Sequence, residues 1–304
     1  VSAAGIRVER EPRYPVRRTA PTLGGISAMQ GFLMTRGYAQ QDDYIFLGRG
    51  PGSRWWERFE KYGNSERSGL VVTSDGERWF ALLSGIPTKR RDVMRTPIRI
   101  KLALEGSRTD TESGAAQAVQ RLIAVWLEDL ATRSGRVAAA FDEAFPEQDI
   151  AGLLVENDDT TVQAVDERLQ RVLAAFGKSG DTPGPSGRPA VDGWWVGSLH
   201  DEQDQDHRTA AAAAAALLAG APGIAGYFNM LRTSEYAGQA AEALRADTGG
   251  SVHVLTDLRT HELPSPKEAP RPPKPDPRTI AAILGAGAIV IVLVWVITRW
   301  LDHD

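Results

Sequence analysis

Three regimes of hydrophobic spacing follow one another along this chain. From residue 26 to about residue 105 the apolar residues come in short, strand-length runs: 28–38 (AMQGFLMTRGY), 43–48 (DYIFLG), 69–74 (GLVVTS), 77–86 (ERWFALLSGI) and 97–105 (PIRIKLALE). In the last run Ile98, Ile100, Leu102 and Leu104 alternate with Arg99, Lys101 and Ala103, which predicts one buried face and one partly wet face. Asp75-Gly76, lying between two apolar runs, predicts a two-residue hairpin turn with positive φ at both positions. One helix is expected among these strands, over 53–62, with Trp55, Trp56 and Phe59 on its apolar side.

From about residue 111 the period lengthens to that of a helix. Val119, Leu122, Ile123, Trp126, Leu127 and Leu130 form one stripe. A shorter segment carries Val137, Phe141 and Phe145 and stops at Pro146. The run 150–155 (IAGLLV) reads as a buried strand. Val162, Val165, Leu169, Val172, Leu173 and Phe176 form a further helical stripe, with Asp159 or Thr160 as its N-cap. Residues 177–191 (GKSGDTPGPSGRPAV) are a Gly/Pro/Ser loop, either a sub-boundary within the body or a long surface connection. Beyond it come a strand at 194–199, a helix at 204–219, a strand at 224–231, a helix at 234–246 stopped by Gly249-Gly250, and a strand at 251–258. That alternation is the signature of parallel strands joined by crossover helices. The expected fold is therefore an α/β body over 26–263 with a mixed sheet, or two abutting sheets. Its N-terminal half is strand-rich and its C-terminal half βαβαβ-like.

The third regime is the run Ile280–Thr298 (IAAILGAGAIVIVLVWVIT), nineteen uncharged residues of which eleven are Ile, Leu or Val. As a helix it extends roughly 28 Å, close to the ~30 Å hydrocarbon thickness of a bilayer. A single C-terminal transmembrane helix over 279–300 is expected, with a short tail at 301–304. Arg259, Lys267, Arg271, Lys274 and Arg278 precede it, whereas Arg299 alone follows, before Asp302 and Asp304. That asymmetry places the body on the cytoplasmic side of the inner (cell) membrane. Ala281, Gly285 and Ala288 fall on one helical face, where small residues let two membrane helices approach, so self-association is expected there. Seven prolines among residues 264–277 predict a polyproline II stalk over 264–278. The first 25 residues, rich in Arg and Pro and without periodicity, read as a flexible arm. With no apolar leader in residues 1–22, the chain reads as tail-anchored.

Composition narrows the chemistry. The formal net charge of −4 gives no basic field for nucleic acid. The absence of cysteine excludes disulfides, thiol catalysis, zinc–thiolate sites and iron–sulfur clusters. Richness in Ala, Arg and Gly suits a bacterial chain. No GxSxG, HExxH or Walker A motif is present, and no cofactor is implied.

The best candidate site is the turn Gly48-Arg49-Gly50-Pro51-Gly52, which follows an apolar strand and precedes a helix. Backbone N–H groups of Gly48, Gly50 and Gly52, with Arg49 and Arg54, would suit a phosphate or other anion. The alternative is a tight strand-to-helix turn that needs glycine for its backbone angles. Lys89, Arg90, Arg91 and Arg95 form a basic cluster, read as a solvated loop or as a phosphate or partner contact. His200 and His207, separated by acidic residues, resemble metal ligands, but negative charge is also favoured where the next helix begins, and no metal is assigned. His253 reads as a structural strand residue.

A strong anchor, a stiff stalk and a substantial body without a catalytic signature predict a tail-anchored protein. Its cytoplasmic α/β body would be a ligand- or partner-binding sensor or adaptor, a membrane effector of a bacterial signalling, stress or defence system. The expected partners are the lipid bilayer, another protein and a second copy of the chain. The alternative is a membrane-tethered enzyme acting on a nucleotide or other phosphate-bearing substrate.

Overall fold

A computed structural model describes residues 29–38, 43–52, 54–108, 114–155, 158–177, 193–201 and 205–264. The arm 1–25, most of the loop at 177–191, the stalk from Ser265 and the apolar run with Ala281, Gly285 and Ala288 lie outside these residues. Among the described residues no helix is long and apolar enough to cross a membrane.

The strands are β1 (Gln30–Thr35), β2 (Ile45–Phe46), β3 (Gly69–Ser74), β4 (Arg78–Arg91), β5 (Pro97–Ser107), β6 (Trp194–Ser198), β7 (Gly223–Tyr227) and β8 (Ser251–Thr256). They form a single sheet in the order β2-β1-β5-β4-β3-β7-β8-β6. The helices are α1 (Arg54–Phe59), α2 (Gly114–Thr132), α3 (Arg136–Ala144), α4 (Glu147–Val155), α5 (Asp159–Gly177), α6 (Gln205–Leu218) and α7 (Ser234–Thr248). The fold is thus mixed α/β, and the sheet is one continuous layer rather than two that abut.

The first five strands in sheet order pair antiparallel. The β3–β4 hairpin forms, but its turn is longer than the sequence predicts. Ser74 pairs with Trp79, and among the turn residues Gly76 alone has positive φ, at 99°. Asp75 acts through its side chain: Oδ1 accepts from the N–H groups of Glu77 (2.9 Å) and Arg78 (2.8 Å). β4 continues through Pro87 to Arg91, so Lys89, Arg90 and Arg91 are strand residues and not a loop. Pro87 is tolerated because β4 has already outrun β3, whose last pair is Gly69↔Ser84, and because register shifts flank it.

The last three strands are parallel, in the order β7-β8-β6. The step from β6 to β7 runs across the sheet in one direction, and the step from β7 to β8 runs back. Crossovers of one hand must then put their helices on opposite faces, and they do. Ala210, Ala214 and Leu217 of α6 pack with α2, α3 and α5 in one core. Ala237, Ala241 and Leu244 of α7 pack with Phe59 of α1 in the other. The alanine run keeps α6 slim enough to lie close to both the sheet and α2.

Because helices cover both faces, β5 is buried on both. Ala103 is fully buried opposite Leu102 and Leu104, and Lys101 is only 8% exposed, its ammonium 5.4 Å from the Trp56 ring. The partly wet face expected from Arg99 and Lys101 is therefore largely closed. The run 150–155 is helical and not a strand, and Val155 at its end is 82% exposed. Pro146 precedes α4, and Glu147 and Asp149 lie in its first turn, where acidic groups complement the helix dipole. The N-terminus of α5 is held by Asp158, whose Oδ1 accepts from Thr161 N–H at 2.8 Å, one residue earlier than the sequence suggests.

The two halves meet at β3 and β7, paired antiparallel from Leu70↔Tyr227 to Ser74↔Gly223. Thr73 Oγ1 donates to the Gly223 carbonyl across this seam at 2.9 Å. Gly226 lies in it with no room for a side chain: a Cβ there would stand 2.3 Å from the Leu70 carbonyl oxygen.

Candidate functional site

Parallel strands leave a crevice beyond their carboxyl ends where successive connections depart to opposite faces, and ligands favour that place. Here the chain leaves β6 for the α6 face and β7 for the α7 face, with β8 between them. The residues that emerge there are polar. Tyr227 ends β7, and its hydroxyl donates to Asp257 Oδ1, just beyond β8, at 2.7 Å. His200, just beyond β6, brings Nε2 to 3.6 Å from the same carboxylate oxygen. Burial, and then the bond to Asp257, raise the Tyr227 pKa well above the ordinary phenol value, so the hydroxyl is a fixed donor. Ser198 is fully buried, and its Oγ accepts from the His200 backbone N–H at 3.0 Å. Its own N–H donates to Asp206 Oδ2 at 2.8 Å. Tyr227 and Asp257 thus form a hydrogen-bonded pair with the His200 imidazole beside it, and this group has one face to solvent, able to orient a polar ligand.

Adjoining this group, where β7 ends against the start of β3, is a cleft of about 310 Å³. One wall comes from the N-terminal half: Lys61, Tyr62, Asn64, Arg67 and Ser68. The other comes from Tyr227, Phe228, Asn229, Met230 and Leu231. The cleft therefore straddles the seam. Asn229 Nδ2 closes its floor by donating to the Ser68 carbonyl at 2.6 Å. Behind it, Trp126 Nε1 of α2 donates to the Gly69 carbonyl at 3.1 Å.

The segment 63–68 is held against β4 by hydrogen bonds that involve its backbone and Ser68. Ser84 Oγ donates to the Arg67 carbonyl (3.2 Å) and Ser68 Oγ to the Gly85 carbonyl (3.3 Å). Gly85 has φ +65°, and a Cβ there would fall 2.2 Å from the Arg67 carbonyl carbon, so glycine is needed for this close approach.

A larger hollow, about 660 Å³, lies between α4 and the β1–β2 edge. Its buried cation, Arg90, already donates to Thr35 Oγ1 at 2.6 Å and to the Arg36 carbonyl at 3.2 Å. Burial lowers the Arg90 pKa, and Asp142 and Glu147 oppose that shift. With its charge held inside the fold, this hollow offers weaker recognition chemistry than the seam cleft.

The glycine-rich turn is placed differently from both. Gly48 has φ +73°, and a Cβ there would meet the Val162 backbone at 3.1 Å, so the turn is pressed onto α5. Arg49 pairs with Asp166 of α5 at 3.2 Å, its guanidinium 5.6 Å from the Phe32 ring centre. Gly50 packs against Phe46, while Gly52 has nothing within 4 Å of a built Cβ. Arg54 is exposed and opens α1, which has only six residues. The partners of this turn belong to α5, β1 and β2, and the structure does not unite them with the crevice. Of the basic cluster, Arg91 donates to the Arg95 carbonyl at 2.9 Å across a turn built on Asp92. His207 is buried on α6, away from His200 in the chain, and among the described residues no group of three metal-binding side chains occurs. His253 is buried in β8, its ring 6.0 Å from that of Trp195.

Sequence reasoning singles out His200 but not Tyr227, Asn229 or Asp257. The expected strands 224–231 and 251–258 enclose all three, whereas β7 ends at Tyr227 and β8 at Thr256, so only the observed strand ends bring them to the crevice. Lys61, Asn64 and Arg67 are not marked in the sequence either; only pairing of β3 with β7 brings them there. No family model, curated protein or solved structure matches the chain.

Proposed function

We propose that this chain is a membrane-tethered receptor: the α/β body binds a small ligand at the carboxyl ends of its parallel strands, and the run Ile280–Thr298 holds that event at the inner face of the cell membrane. The observation that carries the ligand-binding part is the coincidence of the crevice, the Tyr227–Asp257–His200 group and the seam cleft at one end of the sheet. A ligand there touches both halves of the body, so binding can alter how β3 meets β7. The tether is supported by the length and lack of charge of the apolar run and by the basic residues before it. Such a device suits a sensor or effector in a bacterial signalling, stress or defence system, acting with a partner protein or a second copy.

Two measurements test the reading. In a bacterial host the full chain should sediment with membranes, 1–263 should remain in the supernatant, and protease added to spheroplasts should spare the body. Recovery of the full chain in the supernatant, or digestion of the body from outside, overturns the tether. For the receptor part, a metabolite extract should raise the melting temperature of the detergent-solubilised full chain, and Asn229→Ala should reduce that rise. No rise with any fraction of the extract overturns it.

A further inference from the structure

The seam cleft combines an apolar wall with two cations and contains no acid. Tyr62 and Phe228 meet edge to face, ring centres 5.8 Å apart, one from each half of the body. Lys61 and Arg67 stand on the same rim, and no Asp or Glu lines the cleft. Among the described residues neither cation has a carboxylate within 4.0 Å, and Lys61 rests only on the Tyr62 ring, at 4.9 Å. The nearby Glu66 bonds to the Tyr44 hydroxyl, whose pKa burial and that bond push up to about 12. Asn64 uses Oδ1 to accept from Glu66 N–H at 2.7 Å, leaving its amide N–H groups to point elsewhere.

Cations without a carboxylate partner, set beside aromatic surface, are the chemistry that recognises a phosphate attached to a flat ring. Guanidinium and ammonium groups take the phosphate oxygens, and the aromatic face takes the ring. The volume lies at the small end of the range for ligand sites, about 300–1,000 Å³, which suits one ring and one phosphoryl group and not a dinucleotide. We propose that the cleft binds a nucleoside monophosphate, with Lys61 and Arg67 on the phosphate, Asn64 donating to it, and Tyr62 and Phe228 against the base. This assignment rests on the receptor reading and specifies its ligand.

The test is titration of the full chain in detergent with AMP, adenosine and inorganic phosphate by calorimetry. AMP should saturate, adenosine and phosphate should each bind at least about ten-fold more weakly, and AMP affinity should fall with added salt. Arg67→Gln and Lys61→Gln should each weaken AMP about ten-fold, the size expected for one charge-assisted bond. Tyr62→Leu should weaken AMP and adenosine alike. Lys61 and Arg67 are exposed, so these two variants keep the fold, and Arg171→Gln on α5 serves as a charge-matched control with unchanged affinity. Failure of AMP to saturate, or AMP affinity unchanged in both cation variants, overturns the proposal. Adenosine bound as tightly as AMP, with Arg67→Gln silent, overturns the phosphate assignment while leaving the receptor reading standing.

Discussion

Gly226→Ala tests whether the β3–β7 seam holds the body together. The added Cβ would lie 2.3 Å from the Leu70 carbonyl oxygen and 2.9 Å from the Phe228 ring. Ordinary contact needs roughly 1 Å more. The ring can turn, but the carbonyl belongs to a ladder that includes Leu70↔Tyr227 and Val71↔Gly226, so β3 itself must retreat. Overpacking of this kind costs about 1–3 kcal/mol, and weakening two ladder bonds adds about 1 kcal/mol each. The sum is about 3–5 kcal/mol, which in a domain of this size lowers the melting temperature by roughly 6–20 °C. Gly152→Ala is the control: nothing lies within 4 Å of its built Cβ, and it sits inside α4. There alanine should stabilise by about 0.5–1 kcal/mol. Urea and thermal unfolding of both variants give the answer, with hydrogen exchange of the β7 amides locating the damage. A loss at Gly226 of less than about 1 kcal/mol would show that the seam yields without cost, and the account of one continuous sheet would fail.

Two further outcomes follow from buried polar groups. Asp129 is 5% exposed and holds the α2–α3 corner by accepting from Val137 N–H at 2.7 Å and Arg136 Nε at 3.3 Å, as well as from Ser134 Oγ. Asp129→Ala should cost about 2–4 kcal/mol by urea unfolding, with Asn recovering part of it; a loss under about 1 kcal/mol contradicts the role. His253 is kept neutral by burial, so its folded pKa lies below the ordinary value near 6.5. The unfolded chain then binds the proton more readily. Stability present above that pH is lost as the pH falls through it, by at most about 1.4 kcal/mol per pH unit. His253→Gln should remove that component of the slope between pH 7 and 5, and an unchanged slope counts against a buried neutral imidazole.

Much of the secondary structure is legible because it depends on local spacing. The stripes at Val119–Leu130 and Val162–Phe176 become α2 and α5, and the alternation after residue 194 becomes β6–α6–β7–α7–β8. The misreadings are local too, and each has a physical cause. IAGLLV is too short for its period to be told, and its acidic lead-in, Glu147 and Asp149, favours the helix. Pro87 looks like a strand end, but a strand that has outrun one neighbour has an unpaired side to offer it. Lys101 looks like a wet-face residue, yet helices on the second face enclose it against Trp56.

The sequence by itself determined most of the strands and helices, the run 150–155 excepted, as well as that the last three strands run parallel and that a long uncharged apolar run follows the body. These are properties of neighbouring residues, set by backbone periods and side-chain polarity. Beyond the β3–β4 hairpin, only the tertiary structure decided which strands stand side by side, and therefore where the candidate site lies. Asn229 reaches Ser68 across 161 positions of chain, and Tyr62 meets Phe228 across a similar gap. No local period records such a meeting, because it depends on how the β3 edge of one half fits the β7 edge of the other.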